Sequence, residues 1–144
     1  MSFVRDVLAS KTGDVATIDR DATVLEAARK MRERHIGALV VLYEGRIVGI
    51  FTERDMLYRI VAAERDPSST LVCDVMTDRV AFCESDTSLE ACRTAMTRNR
   101  IRHLPVVEGG GLRGMISSGD ILARELADQQ ETIRWMHEYM HGTM

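Results

Sequence analysis

The chain has 144 residues, 45% of them hydrophobic, and a formal net charge of −3. This charge gives no long-range attraction for nucleic acids or anionic membranes, so neither is expected as a partner. Three cysteines without a C-x-x-C pair, and no basic and apolar leader, favour a cytoplasmic protein with reduced thiols. The longest apolar runs are shorter than the roughly 18 to 20 residues that a membrane span needs.

The sequence contains an internal repeat. TVLEA (23–27) returns as TSLEA (87–91) at an offset of 64 residues, and GIFTERD (49–55) returns as GMISSGD (114–120) at an offset of 65. These offsets predict two copies of one folding unit, with one residue inserted between the two motifs. Because units of roughly 60 residues cannot each bury a sufficient core, the copies must pack together, and the cleft between them is the natural binding site.

The predicted elements follow the same order in both copies. Each copy opens with a short lead-in (4–8; 72–76) and a brief extended piece (15–18; 80–82). A helix follows, and its start is marked by a Thr-x-x-Glu capping box at Thr23 and at Thr87. Two strands then form a hairpin, predicted at 38–43 with 46–52 and at 104–107 with 112–117. A second helix after Thr52 and after Ser117 completes a β-α-β-β-α unit.

The second helices carry apolar stripes at helical spacing: Met56, Leu57, Ile60 and Val61 in the first copy, and Ile121, Leu122 and Leu126 in the other. The polar segment 65–71 is the predicted linker between a first unit at 4–64 and a second at 72–127. Residues 128–144 are predicted to be a C-terminal helical extension. The stretch from Ser118 to His141 carries a near-heptad stepping of apolar residues: Leu122, Leu126, Ile133, Met136 and Met140. Gln129 interrupts this seam, and the long helix favours packing on another subunit.

The repeated Gly-x-x-Thr/Ser-x-x-Asp motif is the main functional signal. Gly49 and Gly114 lie inside predicted strands, where glycine is tolerated when another backbone or a ligand must come close. The strands then end at Thr52 and Ser117, at helix N-termini whose free amide groups favour phosphate oxygens.

Asp55 and Asp120 fall in the first helical turn, where a carboxylate can accept both hydroxyls of a ribose. A Thr-x-x-Asp sequence at a helix start is also an ordinary N-cap arrangement. The occurrence of two such motifs, each with its glycine, favours a binding role, and the capping alternative stays open.

These motifs resemble those of a tandem pair of CBS domains, the family named after cystathionine β-synthase. The resemblance is carried by IGALVV (36–41) with GIFTERD (49–55), by IRHLPV (101–106) with GMISSGD (114–120), and by the lead-in DVMT (74–77). It covers residues 4 to about 127 and implies an α/β (α+β) fold. In this fold two β-α-β-β-α units pack about a pseudo-twofold axis, here followed by an extended C-terminal helix.

The resemblance also implies two clefts for adenosine-containing ligands such as AMP, ADP, ATP, NAD or S-adenosylmethionine. Thr52 with Asp55, and Ser117 with Asp120, are expected to bind ribose and phosphate. The expected adenine-pocket residues are Thr17, Ile36, Gly37 and Ala38 in the first site, and Phe82, Cys83 and Ile101 in the second.

The resemblance implies further ligand-binding positions. Arg102 and His103 resemble phosphate-contacting positions of the family, and Arg54 is expected to assist them. Pro105 belongs to the matching strand motif of the second copy. The alternative is that Arg102 and His103 only face solvent where the strand begins. The first copy has Gly37 and Ala38 at the matching positions, so the two clefts are not expected to be equivalent.

The resulting prediction is a regulatory module that binds an adenine nucleotide, signals by conformational change, forms a homodimer and acts on a separate, unidentified effector protein. A CBS scaffold with empty clefts that acts through its dimer surface is the alternative. No nucleophile or complete metal set supports an enzyme, so no catalytic cofactor is expected. His137 to His141 spell H-E-x-x-H, but a catalytic zinc also needs a third protein ligand and a substrate cleft.

Overall fold

The computed structural model describes residues 2–11 and 14–140, and its two small sheets confirm the predicted α/β class. In the first sheet, β1 (Thr17–Asp19) pairs in parallel with β2 (Ala38–Tyr43), which pairs antiparallel with β3 (Arg46–Thr52). The second sheet is an antiparallel hairpin of β4 (His103–Glu108) and β5 (Gly111–Ser117). Both hairpins carry a register shift directly beside the strand glycine.

The described residues also form six α-helices, two of which lie in the lead-in segments, where the sequence predicted no helix. They are α1 (Val4–Ser10), α2 (Val24–Arg34), α3 (Glu53–Asp55), α4 (Val72–Val75), α5 (Leu89–Asn99) and α6 (Ser118–Met140). The short α3 continues as a π-helix (Met56–Val61), in which the amide of Ala62 donates to the carbonyl of Leu57, five residues back. No helix within residues 2–11 and 14–140 is long and apolar enough to cross a membrane.

The structure corrects the register of the repeat. The first helical residues Val24 and Leu89 are 65 residues apart, the same offset as in the Gly-x-x-Thr/Ser-x-x-Asp motifs. The predicted capping box at Thr23 is confirmed, with 3.1 Å from the Glu26 amide to Thr23 Oγ1. The predicted cap at Thr87 is wrong, because Ser88 Oγ accepts from the Ala91 amide at 3.1 Å. No residue is therefore inserted between the motifs.

The predicted extended piece at 80–82 does not form a strand, since only Cys83 makes an isolated bridge to Val106. A proline explains the difference between the two copies. In the first unit, the Val40 amide donates to the Ala16 carbonyl at 3.2 Å and begins the β1–β2 ladder. The residue 65 positions later is Pro105, which has no amide hydrogen to donate.

The two lead-in helices are exchanged between the units. Val4 and Val7 of α1 belong to the core of the second unit, the second core, which contains residues of β4, β5 and α5. Val72 and Val75 of α4 belong to the core of the first unit, the first core, around β2, β3 and α2. Backbone hydrogen bonds fix both helices, from the Val4 amide to the Thr87 carbonyl at 2.9 Å and from the Val72 amide to the Ala22 carbonyl at 2.8 Å. Each core thus includes a lead-in helix from the other copy, and this exchange holds the two units together.

The strand glycines serve this exchange. A Cβ atom at Gly114 would lie 2.7 Å from Leu8 Cδ2 at the end of α1. A Cβ atom at Gly49 would lie 2.6 Å from Met76 Sδ and 2.8 Å from the Thr77 carbonyl oxygen, just after α4. The close approach anticipated at these glycines is therefore made by the lead-in segments.

The apolar stripes of the second helices are only partly buried. Ile60 and Ile121 enter the two cores, at 2% and 3% exposure. Large side chains at matching positions of the two copies remain about half or more exposed: Leu57 and Val61, and Leu122 and Leu126. Every residue of α6 from 129 to 140 is exposed.

Candidate functional site

Both motif aspartates cap the helix in which they lie. The Thr52 amide donates to Asp55 Oδ2 at 3.0 Å, and the Asp55 amide donates to Thr52 Oγ1 at 3.2 Å. The Ser117 amide donates to Asp120 Oδ2 at 2.8 Å, and the Asp120 amide donates to Ser117 Oγ at 3.1 Å. The capping alternative therefore describes part of their role, and the remaining contacts of each carboxylate distinguish the two sites.

Asp55 lies in a closed site. Its residue is 5% exposed, and the Thr77 hydroxyl donates to Asp55 Oδ1 at 3.0 Å. Arg59 Nε lies 3.7 Å from the same oxygen. Because Thr77 follows the exchanged helix α4, the packing of the second lead-in covers this carboxylate and leaves little room for a sugar.

Asp120 lies in an open site. Lys11 Nζ contacts Asp120 Oδ2 at 2.8 Å and also donates to the Met115 carbonyl at 2.8 Å. The two side chains of the ion pair are 40% and 26% exposed. Burial by itself would raise the pKa of Asp120, but the hydrogen bonds from Lys11 and Ser117 outweigh burial and lower this pKa below its usual value. The carboxylate is therefore ionised at neutral pH.

The open site is a cavity of about 1110 Å³ between the two units. The first unit supplies Ile36, Gly37 and Ala38 at the start of β2, and the second unit supplies His103, Ser117 and Asp120. The structure thus brings together six of the residues expected from the sequence, drawn from both copies. We refer to this cavity as the Asp120 cleft.

Gly114 of the repeated motif also lines the Asp120 cleft. The cleft further contains residues that the sequence reasoning missed: Arg5, Leu8, Ala9, Lys11, Asp14, Val15, Ala16, Arg34, His35, Ser85, Leu112, Arg113 and Met115. Lys11 was missed because nothing in the repeat shows that α1 packs on the other copy. Four of the lining side chains are lysine or arginine and two are aspartate, so the cleft carries an excess of positive charge suited to an anion.

His103 lies where the Asp120 cleft meets a second cavity of about 620 Å³, and it lines both. Burial lowers the pKa of His103 below 6.5, although the carboxylates of Glu53 and Asp120 act in the opposite direction. Arg102 lines only the smaller cavity, whose floor includes Met31 and Met56. The neutral form of His103 is therefore favoured at neutral pH.

The other expected residues line neither of these two cavities: Thr17, Thr52, Arg54, Asp55, Phe82, Cys83, Ile101 and Pro105. Cys83 and Pro105 are both buried, Cys83 within the second core, and the Cys83 amide donates to the Pro105 carbonyl at 3.0 Å. Phe82 is 51% exposed. Arg54 donates to the Arg100 carbonyl at 3.1 Å, so it bridges the two units.

The H-E-x-x-H sequence begins on the exposed part of α6, where His137 lies, and its second histidine, His141, lies outside the described residues. Among residues 2–11 and 14–140, no group of three or more histidine, cysteine, aspartate or glutamate side chains could hold a metal ion. In the same part of α6, the rings of Trp135 and Tyr139 stack with their centroids 5.6 Å apart.

The arrangement in the Asp120 cleft is suited to binding a sugar next to an anionic group. The ionised Asp120 carboxylate can accept hydrogen bonds from hydroxyl groups, while Lys11 and the N-terminus of α6 favour negative charge nearby. Ile36 and Ala38 of the first unit add apolar surface to the lining. These features favour the binding of a small molecule that combines a sugar, an anion and an apolar ring.

Comparison with known proteins identifies the repeated unit. The CBS domain family model matches residues 4–62 and 72–126. The mitochondrial CBS domain-containing protein CBSX3 of Arabidopsis thaliana is 34% identical over 148 residues, with 96% of this chain and 72% of that protein covered.

Solved structures agree with the family match. The CBS-domain containing protein ATU1752 from Agrobacterium tumefaciens has a TM-score of 0.82 and 36% identity, covering 86% of this chain and 99% of that one. A hexameric CBS-CP12 protein from bloom-forming cyanobacteria has a TM-score of 0.75 and 30% identity, covering 85% of this chain and 70% of that one. None of these three names describes an enzyme.

Proposed function

The chain belongs to the CBS domain family, whose tandem pairs are in general regulatory ligand-binding modules, and on this basis we propose that it senses an adenine nucleotide in the Asp120 cleft. The proposed ligands are AMP, ADP and ATP, with NAD and S-adenosylmethionine as further adenosine-containing candidates. Binding would change the geometry of the cleft between the two units and pass the signal to a separate protein.

One observation carries this proposal: of the two pseudo-equivalent aspartates, Asp120 lines one of the two cavities described above, which both units build, whereas Asp55 lines neither. Asp55 is covered by Thr77, whereas Asp120 is paired with a partly exposed lysine that can move. The proposal therefore assigns one nucleotide to each chain.

The chemistry of the walls suggests an orientation for the ligand. The ribose hydroxyls would bind the Asp120 carboxylate, and the phosphate would lie near Ser117 at the start of α6, where the helix dipole favours negative charge. The adenine would lie against Ile36 and Ala38 at the start of β2. The cationic side chains of the cleft would compensate the phosphate charge.

Isothermal titration of the protein with each of the five ligands tests the function. Asp120→Asn keeps the shape of the side chain but removes its charge, and we expect it to weaken binding by about tenfold or more, since hydrogen bonds to a charged group contribute about 1.5–3 kcal/mol. Asp86→Asn, on the exposed segment before α5, is the matched control and should leave affinity unchanged.

Asp55→Asn assigns the site. The proposal expects this variant to bind at the wild-type affinity, provided that it is folded at the temperature of the titration. Loss of binding in Asp55→Asn but not in Asp120→Asn would contradict the assignment. Absence of binding for all five ligands to the wild-type protein would favour a scaffold with empty clefts.

We also infer that the protein forms a homodimer through α6. Leu57 and Val61 of the first copy and Leu122 and Leu126 of the second leave equivalent apolar positions exposed, and Ile133 and Met136 continue the stripe along α6. A helical end of about 12 residues without packing is only marginally stable in water. A second copy offers the same apolar stripe and would cover this one.

Native mass spectrometry measures the assembly. Ile133→Lys places a charge on the stripe and should produce monomers, whereas Glu131→Lys places a lysine on the opposite side of α6 and should leave dimers. A wild-type monomer, or a hexamer like that of the CBS-CP12 protein, would contradict the dimer.

A further inference from the structure

We propose that Lys11 makes the Asp120 cleft selective for phosphorylated over unphosphorylated nucleosides. Its ammonium group pairs with Asp120 when the cleft is empty and transfers to the phosphate of the ligand when the cleft is filled. This inference rests on the proposed nucleotide-binding function and names the residue that determines which form of the nucleoside is bound.

The contacts of Asp120 show why Lys11 competes with a sugar. Lys11 Nζ and the Ser117 amide both donate to the same oxygen, Asp120 Oδ2, each at 2.8 Å. A ribose that needs both carboxylate oxygens must displace one of these donors. The Ser117 amide is part of the helix cap, so Lys11 is the donor that can leave.

The other cationic side chains of the cleft have different contacts. The guanidinium of Arg5 lies 4.4 Å from the centroid of the Phe3 ring, and Arg34 donates to the Asp14 carbonyl at 2.8 Å. Arg113 Nε lies 3.4 Å from Glu108 Oε2. Among the lysines and arginines lining the cleft, Lys11 is therefore the one whose charge neutralises the proposed sugar-binding carboxylate.

The position of Lys11 in the fold allows its side chain to move while its backbone stays in place. The Lys11 amide donates to the Leu8 carbonyl at 3.2 Å and ends α1, whose Val4 and Val7 are buried in the second core. Lysine carries its charge on a flexible four-carbon stem and binds phosphate as a point charge. The ammonium can thus exchange Asp120 for a nearby phosphate without rearrangement of α1.

The affinities of adenosine and AMP for the wild-type protein and for Lys11→Met test this role. Adenosine should bind Lys11→Met about 2- to 5-fold more tightly, because a partly exposed ion pair that competes with the sugar is gone. AMP should bind about 3- to 10-fold more weakly, because its phosphate loses a charge-assisted hydrogen bond. The preference for AMP over adenosine should therefore fall by about tenfold.

Two variants control this measurement. Arg98→Met removes one positive charge from the exposed face of α5, which lines neither cavity, and should leave both affinities unchanged. Lys11→Arg keeps the charge and should retain most of the preference for AMP. Lys11→Gln provides a second neutral variant if Lys11→Met is poorly folded.

An unchanged preference for AMP in folded Lys11→Met or Lys11→Gln would overturn the role of Lys11 while leaving the nucleotide site intact. Equal weakening of AMP and adenosine would show that Lys11 only supports the shape of the cleft, and would overturn the role as well. If the wild-type protein binds none of adenosine, AMP, ADP, ATP, NAD and S-adenosylmethionine, the proposed function itself fails.

Discussion

Gly114→Ala probes the exchange of the lead-in helices at a single contact. The three heavy atoms nearest to the added Cβ all belong to Leu8, and the closest, Cδ2, would be 2.7 Å away. Overpacking of this kind costs about 1–3 kcal/mol. Replacing a glycine inside a strand recovers at most about 1 kcal/mol of this cost. We therefore expect Gly114→Ala to lower the free energy of unfolding by about 1–2 kcal/mol.

Truncation of Leu8 should relieve this clash. Leu8→Ala alone should cost about 1–2 kcal/mol, because Leu8 is only partly buried against the second core. In the double variant, the methyl group added at position 114 enters the space that the truncated Leu8 side chain leaves. The double variant should therefore be more stable than the sum of the two single losses predicts, by about 1 kcal/mol.

Urea unfolding followed by circular dichroism measures these free energies. Gly49→Ala provides the contrast, since its Cβ would lie 2.8 Å from the Thr77 carbonyl oxygen, a backbone atom that accepts from the Ile50 amide. Truncating Met76 should therefore rescue Gly49→Ala only weakly. Additive losses for Gly114→Ala and Leu8→Ala would refute the packing of α1 on β5.

The remaining predictions concern the two capping aspartates, His103 and two buried cysteines. Asp55→Asn should lower the free energy of unfolding by about 2–3 kcal/mol and Asp120→Asn by about 1 kcal/mol, because Asp55 accepts more hydrogen bonds in a more buried site; equal losses in thermal melts would contradict this. The lowered pKa of His103 means that this imidazole binds a proton more readily in the unfolded chain than in the folded protein. The neutral imidazole therefore contributes to stability above pH 6.5, and this contribution is lost as the pH falls. His103→Gln should therefore reduce the loss of stability between about pH 7.5 and 5.5 by up to about 1 kcal/mol, and an unchanged pH profile would count against a half-buried neutral imidazole. Cys83 and Cys92, 5% and 1% exposed, should react with iodoacetamide only after unfolding, and rapid labelling of the native protein would disprove their burial.

Much of the architecture follows from local patterns. The two apolar strands, and the positive backbone φ angles of Glu44 and Gly45 between them, match the predicted first hairpin. In the second hairpin, Gly109 and Gly110 have positive φ angles at the turn. The capping motif at Thr23 marked the start of α2 correctly. The similar motif at Thr87 predicted the N-cap of α5 one residue too early. Ser88 offers an equally good hydroxyl, and the local sequence does not choose between the two residues.

The candidate site was less predictable because it depends on contacts between distant segments. Asp55 and Asp120 have similar local sequences and matching caps, yet Thr77 covers one and Lys11 pairs with the other. A side chain that approaches from another part of the chain leaves no periodic signal beside the residue it contacts. The expected binding residues Cys83 and Pro105 illustrate the same limit, since tertiary packing buries both of them, Cys83 within the second core.

The sequence by itself determined that two similar α/β units follow one another, because hydrophobic spacing, turn glycines and helix caps act over a few residues. Only the tertiary structure decided which lead-in helix completes which core and which aspartate remains open to a ligand. These outcomes depend on the close packing of α1 beside Gly114 and of the segment after α4 beside Gly49. These segments are distant in the sequence, and shifts of a few ångströms between them decide whether a cleft is open or filled.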